Sequence, residues 1–182
     1  MHIDEEPSRL RLIVNWIVDI VVVISIAWFV VFSMGTQITV TGQSMEPVLS
    51  QDEMVLMNRL SVRFGKIKRF DIVVFEKEDK KFNIKRVVGL PGETVQIKDG
   101  SLYINDEKIE AENGLSQAAL AGLAENPVVL AEDEYFLLGD NRENSEDSRF
   151  VNVGNVKKSQ IRGKVWFRIR PLRRIGLIRS GA

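Results

Sequence analysis

The chain has 182 residues, 25 Lys or Arg against 25 Asp or Glu, a hydrophobic share of 45%, one histidine (His2) and no cysteine. The balanced charge gives no argument for nucleic-acid binding, and the missing thiols exclude disulfides, thiolate metal sites and a cysteine nucleophile. His2 sits in a polar N-terminal stretch, so Ser-His and Cys-His mechanisms are excluded and zinc is left without its usual ligands; no metal and no cofactor are expected. The length suggests one domain with an appendage.

Taken in chain order, residues 1–11 read as a cytoplasmic tail. Leu12 to Met34 then form 23 residues whose one charge is Asp19. About 20 apolar residues in a helix cross a bilayer, so 12–34 is predicted to be a transmembrane helix. A cleaved signal peptide would have a shorter apolar core and a small-residue cleavage site; GTQITVTGQSM follows here, so the segment reads as a permanent anchor. Arg9 and Arg11 precede the span and the next base after it is Arg59, which places the N-terminus inside by the positive-inside rule, despite Asp4, Glu5 and Glu6. Asp19 is costly in lipid, about 2.5–3.5 kcal/mol at mid-helix. It shares a face with Asn15 at i, i+4, a weak pointer to a membrane partner.

Residues 35–182 read as a mainly antiparallel β domain. The strand candidates are ITVTG, EMVLMNRL, FDIVVFEK, FNIKRVVGL, TVQIKDGSLYINDEKI, EYFLLGD and KVWFRIR, separated by turn signals. TVQIK-DG-SLYIN predicts a hairpin on Asp99-Gly100, within a smaller inserted hairpin or cap region around 93–134. The stretch 115-LSQAALAGLA-124 reads as a short helix or a loop. From Lys157 to Ala182 there are nine bases and no acid; phospholipid headgroups are one reading and a solvated strand end the other. Trp166 and Phe167, beside Lys164, Arg168 and Arg170, are either an interfacial contact or ordinary core aromatics.

Ser44, in 42-GQSMEP-47, lies ten residues beyond Met34, at most about 33–36 Å of chain, and so close to the membrane. With histidine and cysteine excluded, only Lys, Tyr, Asp or Glu could activate it. A buried lysine can lose its proton, because desolvation lowers its pKa by up to about 3–5 units. Lys85 and Arg86, in 82-FNIKRVVGLPGE-93, fall on opposite faces of a strand, which predicts one buried and one solvated; alternatively the pair caps a solvated edge. The polar run 139-GDNRENSEDSR-149, with two serines, two arginines and four acids, follows an apolar strand directly.

GQSMEP, FDIVVF, KRVVGLPGE and GDNRENSEDSR, in this order after one apolar span, resemble the signature boxes of bacterial type I signal peptidases, in particular the short single-span Gram-positive form. The resemblance implies a signal-peptidase and SOS-repressor protease-like antiparallel β fold and a membrane-anchored serine endopeptidase that removes signal peptides from secreted preproteins. It makes Ser44 the nucleophile and Lys85 the general base, with Ser145 orienting the Lys85 amine. Asp147 and Arg149 become a supporting pair, Asp140, Arg142 and Arg86 fix the loop, and Met45 lines the substrate surface. Preproteins and the bilayer are the implied partners, with the secretion machinery left open. Two departures stand out. Gly42 replaces the serine that supplies a second oxyanion donor in some relatives, and Arg69-Phe70 replaces glycine before Asp71, read as surface variation. Two rival readings are a Ser-Lys autoprotease and a catalytically inactive membrane-anchored β module. Ala119-Leu120-Ala121 also fits a small-x-small cleavage pattern, giving self-cleavage after Ala121, against a helix packed through Leu115, Leu120 and Leu123.

Overall fold

A computed structural model of the chain describes residues 9–77, 81–110 and 117–178. Most of the cytoplasmic-tail assignment, the acids Asp4 to Glu6, the proposed packing of Leu115 and the end of the basic stretch lie outside these residues. Helix α1, Arg9–Met34, is 26 residues long, or about 39 Å at 1.5 Å per residue. Its segment Arg9–Val30 is long and apolar enough to cross a membrane, and none of that window is buried within the protein. Large apolar side chains are exposed all round it, among them Trp16, Val23 and Phe29. That is the surface expected of a helix solvated by lipid.

The remaining chain builds two antiparallel sheets. The larger uses β1 (Thr36–Thr39), β2 (Met54–Asn58), β3 (Ile72–Glu76), β4 (Phe82–Gly89), β9 (Glu134–Leu138), β10 (Val156–Lys157), β11 (Ile161–Arg170) and β12 (Gly176–Leu177). Its order is β1-β2-β11-β3-β4-β9-β10, with β12 on β11. The smaller sheet, β7 (Glu107–Lys108), β6 (Ser101–Ile104), β5 (Thr94–Lys98) and β8 (Val128–Val129), is inserted between β4 and β9. Asp99 and Gly100 both take positive φ, 48° and 73°. They close the β5–β6 hairpin, where Lys98 pairs with Ser101, with the left-handed backbone that a two-residue turn needs. A single helical turn, α2 (Leu60–Arg63), follows β2.

The central strands are covered on both faces. Successive β3 residues enter different cores: Val73 and Phe75 join Val62, Ile67, Val87 and Leu137, while Ile72 and Val74 join Val40, Met45, Leu49 and Val165. A third cluster, including Val88, Val95, Phe136 and Leu138, fills the space against the smaller sheet. This corrects the expectation that one of Lys85 and Arg86 meets solvent. Both are buried, at 3% and 1% exposure, because β4 has no solvated face at that point.

Three other expectations change. Residues 117–121 are irregular, and a 3₁₀ turn, Gly122–Glu125, follows. Leu120 and Leu123 are exposed, and Ala118 and Ala124 pack instead; Arg149 straps this segment through Leu120 O and Leu123 N. Phe70 is buried with φ 67°. Its carbonyl accepts from Arg86 Nη1 at 2.8 Å, so it is an internal support rather than surface variation. Trp166 and Phe167 are half-buried at a β11–β2 bulge. Their basic neighbours Lys164 and Arg168 are engaged by Asp71 and Glu53, both at 2.7 Å.

Candidate active site

Ser44 lies on the turn that leaves β1. Main-chain bonds from Glu46 N to Gln43 O (3.1 Å) and from Leu49 N to Met45 O (2.8 Å) shape that turn. Met45 roots it: its side chain is only 1% exposed and sits in the core, with an edge on the cleft beside Ser44. It is therefore first an anchor, and less of a substrate surface than expected. Behind the turn, Glu53 is held by Arg168 (2.7 Å) and Arg174 (2.6 Å), and the same arginines donate to Val48 O and Pro47 O.

Lys85 reaches the turn from β4. Its Nζ lies 2.7 Å from Ser44 Oγ, 41 residues away in sequence. Burial pulls the Lys85 ammonium down from 10.5 to about 8; Lys77 pushes the same way, and Asp147, Glu146 and Asp140 oppose it. Desolvation wins because the nearby carboxylates are already committed to other cations. Asp147 pairs with Arg149 (2.8 Å, both side chains 0% exposed), Asp140 with Arg86 (2.7 Å), and Glu146 with Lys77 (2.9 Å).

The loop after β9 brings the rest together. Asp147 Oδ2 accepts from Gly139 N (3.0 Å), and Arg149 Nη2 donates to Arg142 O (2.7 Å), closing the loop on itself. Burial lowers the Arg142 guanidinium to about 10, and Asp140 and Asp147 hold it up. Asp140 braces this loop through a two-point pair with Arg86 Nε and Nη2. Gly139 is needed for close approach: a Cβ there would stand 2.0 Å from Ser145 Oγ and 2.5 Å from Ser44 O. The expected bond from Ser145 to the Lys85 amine is not formed. Ser145 Oγ is buried beside Gly139 without a hydrogen-bond partner among the described residues. Asn141 escaped the sequence analysis. Its N–H donates to Ser44 O (3.0 Å) and its Nδ2 to Gln43 O (3.2 Å). Asn141 stands inside the polar run, but a partner 98 residues away leaves no local signal.

A cleft of about 220 Å³ opens at Ser44 between residues 38–41 and Phe82–Ile84. It continues into a groove of about 600 Å³, lined by Thr36, Gln37, Met57, Val74 and Phe82 among others. The groove therefore starts where α1 ends and leads to Ser44. Among the described residues no group of His, Asp or Glu is arranged to hold a metal ion. An amine whose pKa is lowered to about 8, against a serine hydroxyl and beside a groove, is equipped for nucleophilic attack on an extended peptide.

Removing the carboxylate of Asp140 would leave Arg86 charged and buried. Asp140→Ala should therefore lower unfolding free energy by about 3–5 kcal/mol. Lys98→Ala, which breaks the exposed Lys98–Asp106 pair, should cost at most about 1 kcal/mol. Denaturant unfolding of the detergent-solubilised protein checks both.

Residues 13–170 match the family described as signal peptidase, peptidase S26. A signal peptidase I of Bacillus caldolyticus is 38% identical over 169 residues, covering 87% of this chain and 90% of the relative. Signal peptidase I P of Bacillus subtilis subsp. natto is 32% identical, covering 94% and 97%. Signal peptidase IB of Staphylococcus aureus strain COL is 33% identical, covering 87% and 90%. The chain belongs to the signal peptidase family, peptidase S26.

Proposed function

We propose that this protein is a membrane-anchored serine endopeptidase that removes N-terminal signal peptides from secreted preproteins, with Ser44 as nucleophile and Lys85 as general base. The observation that carries this reading is the 2.7 Å approach of Lys85 Nζ to Ser44 Oγ in a site that drives the amine towards its neutral form. The neutral amine takes the Ser44 proton as Oγ attacks the scissile carbonyl. The resulting ammonium gives its proton to the leaving amine, and the acyl-enzyme forms. The same amine then activates a water to release the acyl group. The Ser44 N–H is assigned to the developing oxyanion. Gly42 has φ 82° and open space where a Cβ would stand, so it brings no side-chain donor.

Ser145 makes no bond to Lys85 as the side chains stand, and is assigned to orient the amine once its buried, unpaired hydroxyl turns towards Nζ. Asp147–Arg149 and Asp140–Arg86 hold the loop that presents it, and Arg142 reinforces both. An extended signal peptide leaving the bilayer beside α1 would run along the groove from Thr36 to Ser44. The bases Arg9 and Arg11, at the start of α1, support an N-terminus inside and a catalytic domain outside. The exposed Asn15–Asp19 face of α1 is where a helix of the secretion machinery would dock. The autoprotease reading is disfavoured by the family match, and the inactive-module reading by an intact Ser–Lys pair.

The reading is tested by incubating the solubilised protein with a signal-peptide-bearing preprotein and sequencing the new N-terminus. Ser44→Ala and Lys85→Ala should each lose at least ~10³-fold in kcat while remaining folded, because nucleophile and base act as a unit. Lys85→Arg should be as inactive, since a guanidinium does not deprotonate in a protein. Appreciable turnover by the arginine variant would remove Lys85 from the base role.

The pH profile follows from the lowered pKa. Burial favours the uncharged amine, so its population rises with pH through about 8. In the free enzyme kcat/KM should climb about tenfold per pH unit below that value and level off above it. A flat profile across this range would contradict a titrating lysine base. Ser145→Ala should reduce kcat more than it changes KM.

A further inference from the structure

The turn after β2 reads RLSVRFGKIK, residues 59–68, four bases in ten residues without an acid. Its inner side is fixed: Val62 and Ile67 are buried in the core with Val73 and Phe75. Its outer side is Arg59, Arg63, Phe64, Gly65 and Lys66, all exposed, with Phe64 at 79%. The Arg63 guanidinium stands over the Phe64 ring at 5.7 Å. Arg59, Arg63 and Lys66 make no ion pair among the described residues, whereas Lys164 and Arg168 on β11 are held by carboxylates.

Register places this turn beside the end of the anchor. Thr36, two residues beyond Met34, pairs with Met57, and Leu60, which opens α2, is three residues past Met57. Another exposed apolar pair, Leu172 and Ile175, follows the opposite end of β11, where Arg170 pairs with Met54, whereas Leu177 lies midway, opposite Phe167. A rigidly rooted projection with an apolar tip and unpaired cations, next to a helix leaving the bilayer, has the chemistry of an interfacial anchor.

We propose that the turn at residues 59–66 is a second membrane contact, in which Phe64 enters the headgroup layer and Arg59, Arg63 and Lys66 bind phosphates of anionic phospholipids. This rests on the reading of α1 as a membrane anchor. Two contacts, rather than one flexible tether, would fix the height and rotation of the groove over the bilayer.

The chain has no cysteine, so single cysteines can be introduced at Val22, Phe64 and Leu172 of the full-length protein and labelled with an environment-sensitive nitrobenzoxadiazole probe. The proteins are reconstituted into vesicles of phosphatidylcholine with phosphatidylglycerol, with and without nitroxide-labelled lipid. The probes at 22 and 64 should be blue-shifted and quenched, and the probe at 172 should remain aqueous. Adding Arg63→Gln and Lys66→Gln should reduce quenching at 64 severalfold and leave that at 22 unchanged. An aqueous probe at 64 with a quenched probe at 22 would overturn this inference alone. Quenching at 172 instead of 64 would also overturn it, by putting the bilayer at the other end of the sheet. An aqueous probe at 22 would overturn the anchor reading and this inference with it.

Discussion

The structure turns on one amine taken out of water. Lys85 is 3% exposed and its Nζ lies against Ser44 Oγ. The fall of its pKa from 10.5 to about 8 corresponds to about 3 kcal/mol in favour of the neutral form. The sign sets where the fold bears this cost. Below about pH 8 the amine is protonated in folded and unfolded chains alike, and the full penalty falls on the folded state. As pH rises from 8 towards 10.5 the folded amine is already neutral and the penalty is relieved. The groups that raise reactivity therefore lower stability, and the surroundings must compensate.

That compensation is visible in how the nearby charges are arranged. Three carboxylates close enough to keep Lys85 protonated are each tied to another cation, Asp147 by Arg149, Asp140 by Arg86 and Glu146 by Lys77. Their attraction for the lysine is reduced, and burial decides its state. The same pairs stiffen the loop that Gly139 lets approach the Ser44 turn, and Asn141 clasps that turn through two main-chain carbonyls. Pairs such as Arg86–Asp140, buried on both sides, add little net stability over apolar packing. Their value here is position, since loss of either partner strands a charge beside the Ser44 turn.

The parts legible in the sequence are those with local causes. Strand alternation and the Asp99-Gly100 turn predicted the larger elements and the hairpin, and an uninterrupted apolar run predicted α1. The roles of Ser44 and Lys85 come from the resemblance of four ordered motifs to type I signal peptidases, and the structure brings their side chains to 2.7 Å. What was not legible depends on distant chain. Period-two alternation assumes one solvated face, and it failed at Lys85–Arg86 because β4 is covered by two cores and by Asp140. Phe70 read as surface because the contact that buries its carbonyl comes from Arg86, 16 residues away. Trp166 fitted neither expectation, since a bulge leaves it half-buried. The Ala-rich stretch reads as either a short helix or a loop, and Arg149, 29 residues away, holds it in the irregular form.

The central claim is that burial lowers the Lys85 amine far enough to supply a base near pH 8. It is tested most directly by nuclear magnetic resonance of the protein carrying ¹³Cε-labelled lysine, with the Lys85 signal identified by its loss in Lys85→Arg. Followed from about pH 6 to about pH 11, that one resonance should titrate near 8. A Lys85 resonance that titrates only near the free-lysine reference of about 10.4 would show an amine protonated throughout the working range, and would contradict the account.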